Sequence, residues 1–343
     1  MRVAELTGPR EFRLAERPLE DPPPGQVQVR VQAVGVCGSD MHSYLEGGVG
    51  DTACHYPMVL GHEPAGVIVR TGDGVTGIAP GDRAAFEPAI YCYHCEFCMT
   101  GRHNVCEKIR FMSMPGDPGF FREFVNLPAT NVLPIPPALD MPMASMIEPL
   151  AVVLHSMEFA SLKPGDTAAV FGGGPIGLLT AVVLKLAGAR RVWVVEPLAH
   201  RRELALAIGA DAVVDPAAVD AGQTLLRETG HRGVDVAFDC AAKGDTLNQT
   251  IQVTRNAGRA VFTGIPAELE LPLRFHPWRR KEVALYQVRR SNHEGATARD
   301  LLAAHTARFA PLITHRRPLE QIAPAFRQIE GYEDGVGKLV IEI

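Results

Sequence analysis

The segment VFGGGPIGLL constrains the fold of this 343-residue chain more than any other stretch. It sets Gly172, Gly174 and Gly177 in a G-x-G-x-x-G spacing between the apolar run TAAVF and a helix-forming run that starts at Pro175. Each glycine has its own steric reason: Gly172 for a tight turn, Gly174 for close approach of a pyrophosphate to the main chain, Gly177 for close packing of helix on strand. Pro175 suits the first helical turn, where its missing N–H costs nothing, and the amides of that turn then face the anion. Downstream, RVWVVE, DAVV and VDVAFDC alternate with helical stretches such as HRRELALAIG. That alternation predicts a doubly wound α/β unit, a parallel sheet with helices on both faces.

Glu196 ends the second strand about twenty residues after the last glycine, where a carboxylate bonds the adenosine ribose. A carboxylate there repels the 2′-phosphate of NADP, so NAD is the expected coenzyme. Arg201 is expected to stack on the adenine or hold a phosphate, and Arg202 either to hold a phosphate or to lie on a solvated helix face.

Up to about residue 150 the pattern is different. VQVRVQAVGV alternates at period two, and PPPG, LGHEP and APGD punctuate short strands. The expected organisation is a β-rich domain over 1–150 and 291–343, completed by the returning strand GKLVIEI, around a coenzyme domain over 151–290. With 46% hydrophobic and 21% charged residues this is an ordinary globular composition, and the net charge of −5 offers no basic face for nucleic acid or an anionic membrane. The first residues, MRVAELTGPREF, contain no signal-peptide core, so a cytoplasmic protein is expected.

Of seven cysteines, four stand in C-x2-C-x2-C-x7-C spacing: Cys92, Cys95, Cys98 and Cys106. Four thiolates this close wrap a closed, tetrahedral zinc that staples a loop and leaves no position for substrate. A structural zinc is expected there, with His94 and His103 as surface residues. Three other segments carry ligand types for a second, open metal site: Cys37 in VCGSDMH, His62 and Glu63 in LGHEPAG, and Glu148 in MIEPLAVV. Cys54 and Cys240 match neither set; Cys240 is read as buried core and His55 as a surface or pocket-rim residue.

VCGSDMH, GHEPAGVI, the cysteine loop, EPLAVVLHS and VFGGGPIG, in that order, resemble the zinc-dependent medium-chain dehydrogenases across essentially the whole chain. EPL at the third zinc segment, FEPAIYC and VRRSN are most similar to sorbitol and related polyol dehydrogenases. The resemblance implies a GroES-like catalytic domain, a Rossmann domain, two zinc ions per subunit, NAD, a small polyol or sugar-like substrate, and a homotetramer or homodimer. It implies Cys37, His62 and Glu63 as catalytic zinc ligands, with Glu148 either a ligand or bonded to the zinc water and the two glutamates able to exchange. Ser39 takes the substrate proton and His42 passes it towards solvent, while Asp40 orients His62. Ile176, Glu196 and Arg201 match positions at the adenosine, Thr263, Gly264, Ile265, Gln287, Val288 and Arg289 positions at the nicotinamide, and Arg289 also a substrate contact. Ser43 and Arg290 stand where animal polyol enzymes carry tyrosines. The pair Arg289–Arg290 therefore suits an acidic substrate end, which keeps a sugar-acid or L-threonine dehydrogenase as the alternative. A non-catalytic NAD- or zinc-binding regulator is the reading from another class, and the full ligand set argues against it.

Overall fold

The computed structural model describes all 343 residues and divides into two compact units. One comprises Met1–Ala151, Asn292–Thr306 and Ile313–Ile343; the other comprises Val152–Ser291 and Ala307–Leu312. No helix is long and apolar enough to cross a membrane.

The first unit is built on a mixed sheet centred on the strand Gln26–Gly35, the period-two segment of the sequence. Its opening half pairs with Phe124–Pro128 and its closing half with Lys338–Glu342, while Glu63–Thr71 runs antiparallel along its other edge. Arg83–Phe86 and Val132–Pro134 extend one side of the sheet, and Ile313–Pro318 extends the other, parallel to Lys338–Glu342. Alternating apolar residues of these strands bury Val27, Val29, Val31 and Ile341, and Phe12, Tyr44 and Phe121 pack against Phe326 of the helix Ile322–Glu330. A lobe pinned by the hairpin of Ala89–Ile90 with Arg110–Phe111 has a core of its own, made largely of Ala89, Tyr91 and three buried cysteines. So small a core contributes little stability of its own.

In the second unit six parallel strands lie in the order Ala212–Val214, Arg191–Val195, Thr167–Phe171, Val234–Asp239, Thr254–Phe262, Ala284–Gln287. This is the Rossmann order, reversing beside the first strand, and that reversal opens a crevice at the carboxyl ends of the strands. Thr167–Phe171 and Val234–Asp239 are buried along their whole length, as expected of strands covered on both faces.

Two carboxylates, Asp235 and Asp239, lie buried in this sheet. Asp235, 5% exposed, accepts hydrogen bonds from the Thr167 N–H and hydroxyl and from Arg232 and Arg255. Burial alone would raise its pKa, but these donors reverse the effect and hold the carboxyl far below the usual range. Because the folded pKa is depressed, the stabilisation is complete above the unfolded value of about 4 and is lost as pH falls towards the folded one. Asp235→Asn is therefore expected to cost about 2 kcal/mol near neutrality, with the deficit shrinking below about pH 4. Denaturant titrations of both proteins across that range check it; a deficit that does not change with pH would contradict the assignment.

Candidate active site

Asp40 organises the first unit's cluster of chemically active side chains. The strand Gln26–Gly35 delivers the chain to Cys37, and the helix Gly38–Glu46 begins immediately after it. Asp40, in the first turn of that helix and 1% exposed, accepts from the Cys37 N–H (3.1 Å), the Gly61 N–H (3.1 Å) and the Ser113 hydroxyl (3.2 Å). It also faces Nδ1 of His62 at 3.4 Å, long for a hydrogen bond but close enough to set the ring's direction. The other ring nitrogen, Nε2, lies 3.4 Å from the Ser39 hydroxyl.

The donor atoms of Cys37, His62 and Glu63 come within 4.8 Å of one another. Burial works against a positive charge on His62, yet the facing Asp40 and Cys37 overcome it and raise its pKa well above the ordinary value. The pocket thus favours a cation, and a divalent ion held by thiolate, imidazole and carboxylate fits it. Glu148, in the first turn of the helix Ile147–Ala160, stands in the electrostatic reach of His62, Glu63 and Glu87; burial above all pushes its carboxyl up to about 8. It lies outside the tightest group of three, so the arrangement distinguishes Glu148 from the other candidate ligands.

Glu63 has a second attachment. Its carboxylate forms an ion pair with Lys338, both side chains being 1% exposed, and Lys338 Nζ also donates to the Val36 carbonyl at 2.9 Å. The pair occupies the space beside Gly35: a Cβ there would lie 2.0 Å from a Glu63 oxygen and 2.8 Å from Lys338 Cε. Only glycine leaves room for it.

On the helix Gly38–Glu46, Ser39 and His42 are three residues apart and share a face. His42 Nδ1 meets the Glu46 carboxylate at 2.9 Å, at the solvent edge. Ser43 turns to the buried side with Met41 and Tyr44 and is 3% exposed, which leaves its side chain little surface to offer a substrate. Phe111, which the sequence did not single out, places its ring 5.3 Å from that of His62.

In the lobe, the sulfurs of Cys92 and Cys98 are 3.9 Å apart, Cys95 and Cys106 3.9 Å, and Cys92 and Cys106 3.5 Å. These are far longer than a disulfide, about 2.05 Å, and match the separation of about 3.8 Å for thiolates on one tetrahedral zinc. His94 is exposed as expected, whereas His103 bonds His293 at 2.7 Å and packs on Tyr91.

The coenzyme candidates of the second unit gather along one edge of its sheet. The glycine turn follows Phe171, Glu196 follows Val195, Thr263, Gly264 and Ile265 follow Phe262, and Val288, Arg289 and Arg290 follow Gln287, all at neighbouring strand ends. Gly172 has φ +101°, and a Cβ on Gly177 would lie 1.8 Å from the Gly172 carbonyl, so turn and helix packing both demand glycine. A Cβ on Gly174 would meet nothing nearer than Arg201 at 3.9 Å, so this glycine leaves open space at the amino end of the helix Pro175–Leu186, which a pyrophosphate fits. Ile176 sits in that first turn. Glu196, 4% exposed, accepts from the Gly173 N–H (2.6 Å) and the Leu198 N–H (2.9 Å), which fixes its carboxylate beside the glycines. Arg202 is not a free surface residue: it bonds the Glu196 and Pro197 carbonyls and pairs with Asp215 at 3.1 Å.

Three residues differ from, or add to, what the sequence alone suggests. Cys240, expected in the core, is only partly buried, at the same sheet edge, with its sulfur 3.1 Å from the Thr263 hydroxyl; the strand ends one residue earlier than the apolar run suggests. Asp239 went unnoticed, yet it accepts from the Ala241 and Ala242 N–H groups and shapes the neighbouring turn. Lys338 was also missed, although a lysine inside the apolar strand GKLVIEI was the available signal.

The Glu63–Lys338 pair makes a stability prediction. Lys338→Met strands a buried carboxylate and is expected to destabilise the first unit by about 3–5 kcal/mol, whereas Lys338→Met combined with Glu63→Gln recovers most of the loss. Denaturant unfolding of both variants measures the coupling; additive losses would show that the pair is not the cause.

Known proteins resemble this chain over nearly its whole length. Residues 23–137 match the alcohol dehydrogenase GroES-like domain and residues 175–304 the zinc-binding dehydrogenase family. Sorbitol dehydrogenase of Bacillus subtilis is 31% identical over 99% of this chain and 97% of its own length. The 2-dehydro-3-deoxy-L-galactonate 5-dehydrogenase of Pseudoalteromonas atlantica is 32% identical over 99% of this chain and 98% of its own. A zinc-binding dehydrogenase of Sinorhizobium meliloti, solved with NADP bound, superposes with a TM-score of 0.91 at 30% identity, covering 100% of this chain and 99% of that one. Along its whole length, then, the chain belongs to the zinc-dependent medium-chain dehydrogenases, with a GroES-like domain and a Rossmann domain.

Proposed function

We propose that this dehydrogenase oxidises a secondary hydroxyl of a polyol or sugar-like substrate to a ketone, with NAD as hydride acceptor. The observation that carries the reading is the meeting of Cys37, His62 and Glu63 with the Ser39 hydroxyl at His62. Cys37, His62 and Glu63, with Glu148 as exchanging or water-bonded carboxylate, would hold the catalytic zinc; Cys92, Cys95, Cys98 and Cys106 would hold a structural one. When bound, zinc would supply the Lewis acidity that acidifies a hydroxyl, and NAD the hydride acceptor.

The chain's own residues handle the proton and the coenzyme. Ser39 Oγ accepts the hydroxyl proton while releasing its own, which would travel through the nicotinamide ribose to His42, on the same helix face, and out past Glu46 to solvent. Asp40 keeps His62 in a single ring orientation throughout. Glu196 holds the adenosine ribose and opposes a 2′-phosphate, which favours NAD over NADP. Gly172, Gly174 and Gly177 admit the pyrophosphate beside Pro175 and Ile176, Arg201 covers the adenosine, and Thr263 to Ile265 with Gln287 to Arg289 border the nicotinamide. A homodimer or homotetramer in the cytoplasm belongs to the same reading. The similarity to a sugar-acid dehydrogenase supports a second reading, in which Arg289 and Arg290 hold a substrate carboxylate.

An NADH-absorbance screen over matched polyols and aldonates, on protein assayed for two zinc ions per subunit, decides between the readings. On the best substrate, Ser39→Ala is expected to keep metal and coenzyme but to slow oxidation by about 10²-fold or more, the scale of a positioned proton-transfer group. Unchanged turnover with hydride transfer shown to be rate-limiting would remove Ser39 from the mechanism. Glu196→Ala is expected to weaken NAD binding and narrow its margin over NADP, read from Kd values for both coenzymes. A wild type that already prefers NADP would reverse the assignment of Glu196.

A further inference from the structure

The first unit contains a cavity of about 560 Å3 that none of Cys37, Ser39, His62, Glu63 and Glu148 lines. It lies against the strand Arg2–Gly8 and is walled by the segments around Leu19, Met58, Met114 and Phe124. Arg122 is in this wall. Its Nη2 donates to the Pro118 carbonyl at 3.0 Å, its Nε is buried without an acceptor, and it forms no ion pair. The nearby acids are committed elsewhere, Glu5 to Arg13 and Arg17 and Glu123 to Arg2, while Glu20, exposed on the rim, does not pair with it. Burial with no opposing carboxylate lowers the Arg122 pKa to about 10.

Arg122 is half-buried in this wall, with its Nε enclosed without an acceptor and no carboxylate paired to its charge, and a guanidinium so placed favours an anion that would supply the missing partner. Guanidinium groups take carboxylates and phosphates in paired hydrogen bonds. The volume is in the range of small-molecule pockets, and Val3, Leu19, Met58 and Phe124 give it an apolar wall. We propose that this cavity binds a small organic anion, its carboxylate or phosphate on Arg122 and its apolar body against Val3, Leu19, Met58 and Phe124. The site is separate from the dehydrogenase centre and does not depend on which alcohol that centre oxidises.

The test uses full-length, zinc-loaded protein with NAD. Crystals soaked with 4-bromobenzoate are expected to show bromine in this cavity and the carboxylate within hydrogen-bond distance of Arg122. Calorimetric affinity for that site should fall at least about tenfold in Arg122→Met and less in Arg122→Lys, the loss of a charge-assisted bond. Competition by inorganic phosphate supports the phosphate form of the ligand, and benzoate binding that phosphate leaves untouched supports the carboxylate form. Without ligand, Arg122→Met should unfold at the same temperature as wild type or higher, because it removes an uncompensated charge; a purely structural arginine would lower it. Bromobenzoate bound only at the metal centre, equal affinity in Arg122→Met, or a lower unfolding temperature of that variant would each overturn the proposal. So would sedimentation showing that Arg122→Met breaks an assembly, since the counter-charge would then be an acidic side chain of a second copy.

Discussion

Asp40 ties three pieces of chain together at one carboxylate. Its carboxylate collects the N–H at the start of its own helix, the N–H of Gly61 at the entrance to the next long strand, and the hydroxyl of Ser113, just after the hairpin strand Arg110–Phe111. Burial penalises this charge, and the facing His62 together with the backbone donors pulls its pKa down nonetheless. Cys37, Ser39, His62 and Glu63 all sit within a few residues of one of these bonds. A neutral, poorly bonding side chain at this position would lose the registration of thiol, imidazole and hydroxyl together, because each reaches its place through the same carboxylate.

The charges around this centre are balanced by distance as well as by type. Glu63 is offered both to the group of metal donors and to Lys338, and the two demands compete for one carboxylate. An ammonium that is itself anchored on the Val36 carbonyl cannot follow a glutamate that moves to a metal. Lys338 is therefore placed to limit how far Glu63 shifts, while Glu148 carries no such tether to a single cation. This asymmetry gives a physical basis for two carboxylates near one ion playing unequal parts.

Much of the fold was legible because its signals are local. The glycine turn, the spacing of Cys92 to Cys106 and the period-two run from Gln26 each declare themselves within a few residues, where steric and ligand-spacing rules apply directly. Gathering Cys37, His62 and Glu148 required resemblance to a family, since no short-range rule joins segments so far apart in sequence. What stayed hidden depends on partners from distant strands. Asp235 finds Thr167, Lys338 finds Glu63, Phe111 finds His62, and Arg122 finds no counter-ion, and none of these outcomes is written near the residue itself. Cys240 was misread for a related reason: an apolar run marks a strand but not the residue at which it leaves the sheet.

The strand Lys338–Glu342 lies between Gln26–Gly35 and Ile313–Pro318 in the first unit's sheet, yet it follows the entire coenzyme unit in sequence. During synthesis the glycine turn and its parallel sheet can therefore close while the other sheet still lacks an inner strand, with Glu63 facing an empty place. The chain is then able to shape its dinucleotide crevice before it can finish its metal centre. A nascent chain arrested between the two would expose the edge of Gln26–Gly35 to any other unpaired strand, so the order in which the ribosome delivers the pieces makes this edge the point where assembly is most exposed to error.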